Sequence, residues 1–251
     1  MRWETLTTRE FSAFDKNYPV VINIAAIEQH GAHLPVDVDA RIGQAFINEV
    51  DRRLGGEVLS LPQIKVCCSE HHLSFPGTLS VRHESFLAYA FDLLSSVVRH
   101  GFNTIVIINS HGGNQAIGQV LSEKLGLAYP ECRIVFTTWW RIASEELSAV
   151  RESPFGGVNH ACEFETALMR YLDPASIREE HVGGFNHVLP PFWADGDMLE
   201  SRGVSLFRTM KISSGGTGVV GDPSLGAEEK GARIFTIVSD RLEEVLRDLI
   251  G

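Results

Sequence analysis

The sequence predicts an α/β domain built on a mostly parallel sheet, and three observations predict it. Short β-branched runs alternate with long amphipathic ones, the pattern of parallel strands joined by covering helices. Residues 20–26 are apolar save for Asn23, as a central strand covered on both faces must be. The chain has 251 residues, 44% hydrophobic and 22% charged, enough for one large core without disulfide staples.

The elements follow in order. Behind the strand at 20–26, a helix is expected over 39–53, with Ile42, Ala45, Phe46 and Val50 on one face and Gly55-Gly56 after it. Residues 58–61 and 64–68 read as two short strands, and 69–80 as a loop. Residues 83–100 repeat apolar side chains at helical spacing (Phe86, Leu87, Ala90, Leu93, Leu94, Val97, Val98), and Gly101 ends that helix. A strand over Thr104–Asn109, a helix over 114–127 and a strand over Arg133–Thr138 add two β/α steps. Beyond Trp140 the pattern weakens: 153–159 reads as a loop, 162–172 as a helix. Residues 173–214 are rich in Gly, Pro, His and aromatic residues without a period, a stretch of the kind that carries function or an interface. A last helix spans 228–249, its core stripe running from Ala232 and Ile234 to Leu249. Without internal repeats or low-complexity segments, residues 1–251 read as a single domain.

Twenty-two basic against 32 acidic residues give a formal charge of −10, which repels phosphate backbones and argues against nucleic acid as a partner. The longest apolar run has eight residues, far below the roughly 20 that cross a bilayer, and residues 1–11 have no signal core. The expected location is therefore the cytoplasm, away from membranes. Cys67, Cys68, Cys132 and Cys162 form no CxxC pair and are expected to be reduced and buried. Histidine is more informative: His30, His33, His71, His72, His83, His111 and His160 all lie in or near Gly-rich, acid-bearing turns.

Ligands of open parallel sheets bind past the carboxyl ends of the strands, where two of the most polar motifs lie. EQHGAHLP (28–35) follows the first strand, with Asp37 and Asp39 soon after. Glu28 and His30, two apart, point the same way in extended chain and offer a carboxylate and an imidazole to one divalent ion. Asp39 opens the next helix, either as its cap or as a third ligand turned back to the same spot. NSHGGN (109–114) sets His111 at the sheet's carboxyl edge, and Gly112 and Gly113 let backbone N–H groups approach a ligand. Mixed carboxylate and imidazole donors suit zinc, manganese or iron(II). His160 and Glu163, three apart in HACEFET, share a face of the expected helix, one to bind metal and the other to move protons; Glu165 lies off that face. Ser69, His72 and Thr78 in SEHHLSFPGTLS are candidate substrate contacts, with the N–H groups of Gly112 and Gly113 and the hydroxyls of Ser69 and Thr78 as an oxyanion pocket. Cys162 reads as a packed thiol or a nucleophile, and Trp139-Trp140 with Trp193 as core or as an aromatic wall.

EQHGAHLP with Asp39, SEHHLSFPGTLS, NSHGGN, HACEFET and GVVGDPSLGAEEKG follow one another over about residues 15–240 and together resemble the creatininase (creatinine amidohydrolase) family. The resemblance implies a single three-layer α/β/α domain, a cytoplasmic homo-oligomer, often a hexamer, and one or two divalent metal ions per chain, Zn2+ foremost and Mn2+ or Fe2+ as options. It implies Glu28, His30, Asp39 and His111 as ligands, Asp39 bridging, and His160 as the proton-transferring histidine. Creatininase proper has Tyr-Glu after the motif histidine, and that Glu holds the second metal; Gly112-Gly113 stand here, so Glu163 is the expected replacement ligand. Gly156-Gly157 replace a Trp-Asp pair that creatininase carries before its catalytic histidine. The expected function is metal-dependent hydrolysis of a non-peptide C–N bond in a small cyclic amide or formamide other than creatinine. Members with the Gly-Gly form also include a peptide-trimming peptidase and a hydrolase that opens a keto-inositol ring. The alternatives are therefore metal-dependent C–C ring opening of a keto-inositol, or a metal-stabilised oligomeric binding protein without turnover.

Overall fold

A computed structural model describes all 251 residues. Helix α1 (Thr8–Ala13), fixed by a capping box between Thr7 and Glu10, leads into β1 (Val20–Ile24). There follow α2 (Val38–Arg53), β2 (Leu59–Ser60), α3 (His83–Arg99), β3 (Thr104–Asn109), α4 (Gln115–Ala128) and β4 (Arg133–Thr138). The four strands form one parallel sheet in the order β2-β1-β3-β4. The β1–β3 ladder runs from Val20↔Ile105 to Ile24↔Asn109, which brings both carboxyl ends to the same level.

Period-two alternation divides the core between the two faces of the sheet. Val21, Val106 and Ile108 face one layer with Ile42, Phe46 and Val50 of α2. Val20, Ile22, Ile24, Ile105 and Ile107 face the other, with Phe86, Ala90 and Leu94 of α3 and Leu121 and Leu125 of α4. β1 and β3 are neighbours, yet the helices that follow them lie on opposite faces. Their outgoing chains diverge there and leave a crevice at the topological switch point.

The second half of the chain completes the layer over α2. It comprises α5 (Ser144–Ser148), β5 (Val158–His160), α6 (Glu163–Leu172), α7 (Met210–Ser213), β6 (Val220–Gly221) and α8 (Glu228–Ile250). Phe164 and Leu168 of α6 and Ile234, Val238 and Leu242 of α8 join the α2 core, and β5 pairs antiparallel with β6.

Three local expectations change. The strand expected at 64–68 is one bridge, Ile24↔Ile64, because Pro62 has no N–H to continue the β2 ladder and the chain rejoins β1 for a single pair. The strand at 58–61 shortens to β2, and the loop at 153–159 ends in β5. Cys67, Cys68 and Cys162 are buried and unpaired, while Cys132 is half-buried. Trp139 belongs to the core and Trp193 is exposed. No helix is long and apolar enough to cross a membrane.

Candidate metal centre

The crevice between β1 and β3 holds the acidic and imidazole side chains that the sequence places after each strand. Glu28 lies four residues beyond β1 and is 1% exposed; Asp39, in the first turn of α2, is 3% exposed. Asp39 is not a cap, since Asp37 occupies the N-cap position and makes no capping bond with its side chain. Asp39 instead faces two histidines. Its Oδ1 lies 3.4 Å from His30 Nε2 and its Oδ2 3.2 Å from His111 Nδ1. Glu28 Oε1 is 3.2 Å from the same His111 nitrogen, and Glu165 Oε1 is 3.7 Å from His30 Nε2. Two overlapping triads centre on the two histidines, Asp39 and Glu165 each facing His30, and Glu28 and Asp39 facing His111, with one Asp39 oxygen turned to each; His160 also closes on His30 and Glu165.

Backbone carbonyls fix the ring orientations. His30 Nδ1 donates to Glu28 O at 3.0 Å, His111 Nε2 to Cys68 O at 3.1 Å, and His160 Nε2 to Gln29 O at 2.7 Å. In each ring the other nitrogen faces the cluster, the arrangement by which proteins orient metal-binding histidines. His160 Nδ1 stands 3.6 Å from Glu28 Oε1. Gly113 is required by this packing: a Cβ there would lie 2.3 Å from Cys68 O and 2.4 Å from His111 Nε2.

The electrostatics are those of a cation site. Burial opposes the charge on His111, but Glu28 and Asp39 override it and push its pKa up to about 10. His30 is raised well above its ordinary value by Asp39 and Glu165 against the same burial. Burial, with Asp39 beside it, pushes Glu28 up. Asp39 is held far below the usual carboxylate range by the two histidines, despite its burial. His72 and His160 are pushed down by burial and by neighbouring imidazoles.

Glu28 Oε2, His30 Nε2, Asp39 Oδ2 and Glu165 Oε2 are buried with no hydrogen-bond partner. Buried polar atoms are otherwise almost always partnered, and three carboxylates in one hole are strongly unfavourable without positive charge. The donor set and its unpartnered atoms fit divalent cations.

The structure brings together Glu28, His30, Asp39, His111, His160 and His72, whose Nε2 is 3.5 Å from Glu28 Oε1. Glu163 is the correction. Its carboxylate turns away from the cluster and accepts from the N–H groups of Glu152 at 2.9 Å and Ser153 at 3.0 Å and from Lys230 Nζ at 2.5 Å. Glu165 stands where Glu163 was expected. The spacing rule fails because His160 is on β5, not on the helix, and the intervening Ala161 has a left-handed backbone with φ 50°. Gly112 lines the cavity over the cluster, whereas Thr78 and Ser69 do not: Thr78 Oγ1 accepts from Gln29 N at 3.1 Å, and the fully buried Ser69 Oγ sits 3.3 Å from His111 Nε2. Cys162 is buried in the core, its thiol pushed up by burial, which excludes the nucleophile reading.

A model of the creatininase family, described as creatinine amidohydrolase, matches residues 4–246. The chain belongs to the creatininase family. It is 30% identical over 237 residues to a mycofactocin precursor peptide peptidase of Mycobacterium tuberculosis, covering 91% of this chain and 84% of that protein. It is 24% identical over 248 residues to the 3-dehydro-scyllo-inosose hydrolase of Thermotoga maritima, covering 92% of this chain and 77% of that one. A mutant creatininase solved in a Zn–Zn form shares the three-layer fold with a TM-score of 0.82 at 21% identity, covering 98% of this chain and 97% of that one. As a creatininase-family hydrolase, the chain sets Asp39 between His30 and His111 and the Glu165 carboxylate of α6 beside His30.

Proposed function

We propose that this chain hydrolyses a non-peptide C–N bond in a small cyclic amide or formamide, using two divalent ions, Zn2+ first among them. The observation that carries the reading is the set of four unpartnered buried ligand atoms, distributed on the two sides of Asp39. His30, Asp39 and Glu165 would hold one ion and Glu28, Asp39 and His111 the other. Such ions, when bound, polarise a carbonyl and make water nucleophilic near neutral pH. His160 keeps Nδ1 as a proton acceptor facing the cluster because Gln29 O holds its Nε2 proton. The cavity above, about 210 Å³, is walled by Trp140, Met198, Met210, Gln115 and Asn159, room for a small ring. Leu189, Phe192 and Phe207 stand exposed and give a homo-oligomer apolar surface to bury.

The 30% identity to the mycofactocin peptidase favours a second reading, in which the bond is a peptide C–N bond. The metal-loaded protein, incubated with formamides, lactams, short peptides and keto-inositols and followed by mass spectrometry, decides. Turnover of formamides or lactams is the expected result. Cleavage of peptides alone moves the function to the second reading, ring opening of keto-inositols alone moves it to C–C chemistry, and bound metal without any turnover leaves a binding protein.

A further inference from the structure

The cavity over the cluster does not end at its own walls. His71, Asn159 and Met210 are shared with a second chamber, also about 210 Å³, whose remaining polar walls include His187, Asp195 and Arg208. The triads use none of these three residues. Both ring nitrogens of His187 are buried without a hydrogen-bond partner. The ring is held edge-on to Phe185, with centroids 4.5 Å apart, and backs onto Gly156, where a Cβ would lie 3.1 Å from His187 Nε2. Arg208 has no carboxylate within ion-pair distance, and its guanidinium reaches only Val188 O at 3.4 Å and Leu189 O at 3.5 Å. Asp195 is committed to its own loop, where Oδ1 accepts from Ser201 Oγ and from the N–H groups of Arg202 and Gly203. Asn159 donates to Gly196 O.

We propose that this chamber is a second substrate subsite, receiving a carboxylate that the substrate carries beyond the bond that is cut, with Arg208 and His187 as its readers. A guanidinium presents donors in a fork that matches a carboxylate, and an imidazole nitrogen adds another donor. With Asp195 committed to its own loop, the one guanidinium is left to meet a single negative charge, which favours a carboxylate over a dianionic phosphate. The shared wall places the carboxylate next to the cluster without entering it. The word substrate rests on the hydrolase reading above; the binding does not.

The test titrates the 15N-labelled full chain, as purified with its metal, with N-acetylglycine, with its neutral methylamide and with inorganic phosphate, following histidine ring resonances by NMR. The acid is expected to shift the His187 ring signals and to bind about tenfold or more tightly than the methylamide, the contribution of a charge-assisted contact. R208Q should abolish that preference, while R208K, which keeps the charge, should retain part of it. Equal binding of acid and amide, an acid that moves only His111 signals, or phosphate that binds the chamber more tightly than the acid would each overturn the proposal. Selective acid binding at His187 in a protein that hydrolyses nothing upholds the subsite and removes the hydrolase reading instead.

Discussion

Ala161 lies between the last residue of β5 and the start of α6, and its positive φ turns the chain so that His160 and Glu163 do not share an axis. The donors themselves were legible in sequence, because an acid or histidine directly after an apolar strand must lie at the sheet's carboxyl edge. The choice between Glu163 and Glu165 was not, since it depends on one backbone dihedral and on Lys230, 67 positions away from Glu163. The two glutamates separate by experiment. Glu165→Gln should lose one equivalent of metal by elemental analysis and Asp39→Ala both, whereas Glu163→Gln should keep both and lose roughly 1–3 kcal/mol of stability through Lys230. A Glu163→Gln protein short of metal would reverse the assignment. His160→Ala should keep its metal while kcat falls by about 10²–10⁴-fold, the usual worth of general acid–base assistance.

The elements that read clearly in sequence were those with a long period. Helices α2, α3, α4 and α8 and strands β3 and β4 follow their apolar spacing to within a residue or two. The Ile64 bridge and β5 did not, because one to three residues carry no period and their pairing is decided by a partner strand distant in sequence. Packing of α6 on α8 rests partly on the Glu163–Lys230 clamp. Burial would raise the Glu163 pKa, but Lys230, Ser153 and the backbone N–H groups prevail and hold it below 4.5. A carboxyl lowered on folding contributes stability above its unfolded pKa, and that contribution is lost as pH falls through the folded value. Wild type should therefore lose more stability than Glu163→Gln as the pH falls below the ordinary carboxyl range, read from urea midpoints. Parallel losses would show that the clamp does not titrate with folding. At the entry to the same helix, Ala161→Val puts a β-branched side chain in the left-handed region and should destabilise by about 1–3 kcal/mol.

At the scale of the whole molecule, the sheet's two faces are closed by ordinary apolar burial, and the crevice at the switch point is where that burial stops. Three carboxylates, Glu28, Asp39 and Glu165, line one cavity there, and their repulsion works against the fold wherever protons on His30 and His111 do not offset it. Cations bound only by the folded chain supply that offset, and they couple metal to stability by mass action: one ion at 100 times its Kd adds about 2.7 kcal/mol. For a chain of this size such a change corresponds to roughly 5–11 °C in Tm. Calorimetry of the metal-loaded protein with and without EDTA should show a fall of that order. The Asp39→Ala protein, which lacks the carboxylate common to both triads, should show no response to the chelator. An unchanged Tm on stripping wild type of its metal would mean that the four unpartnered atoms are satisfied without cations, and the two-ion reading would fall with it.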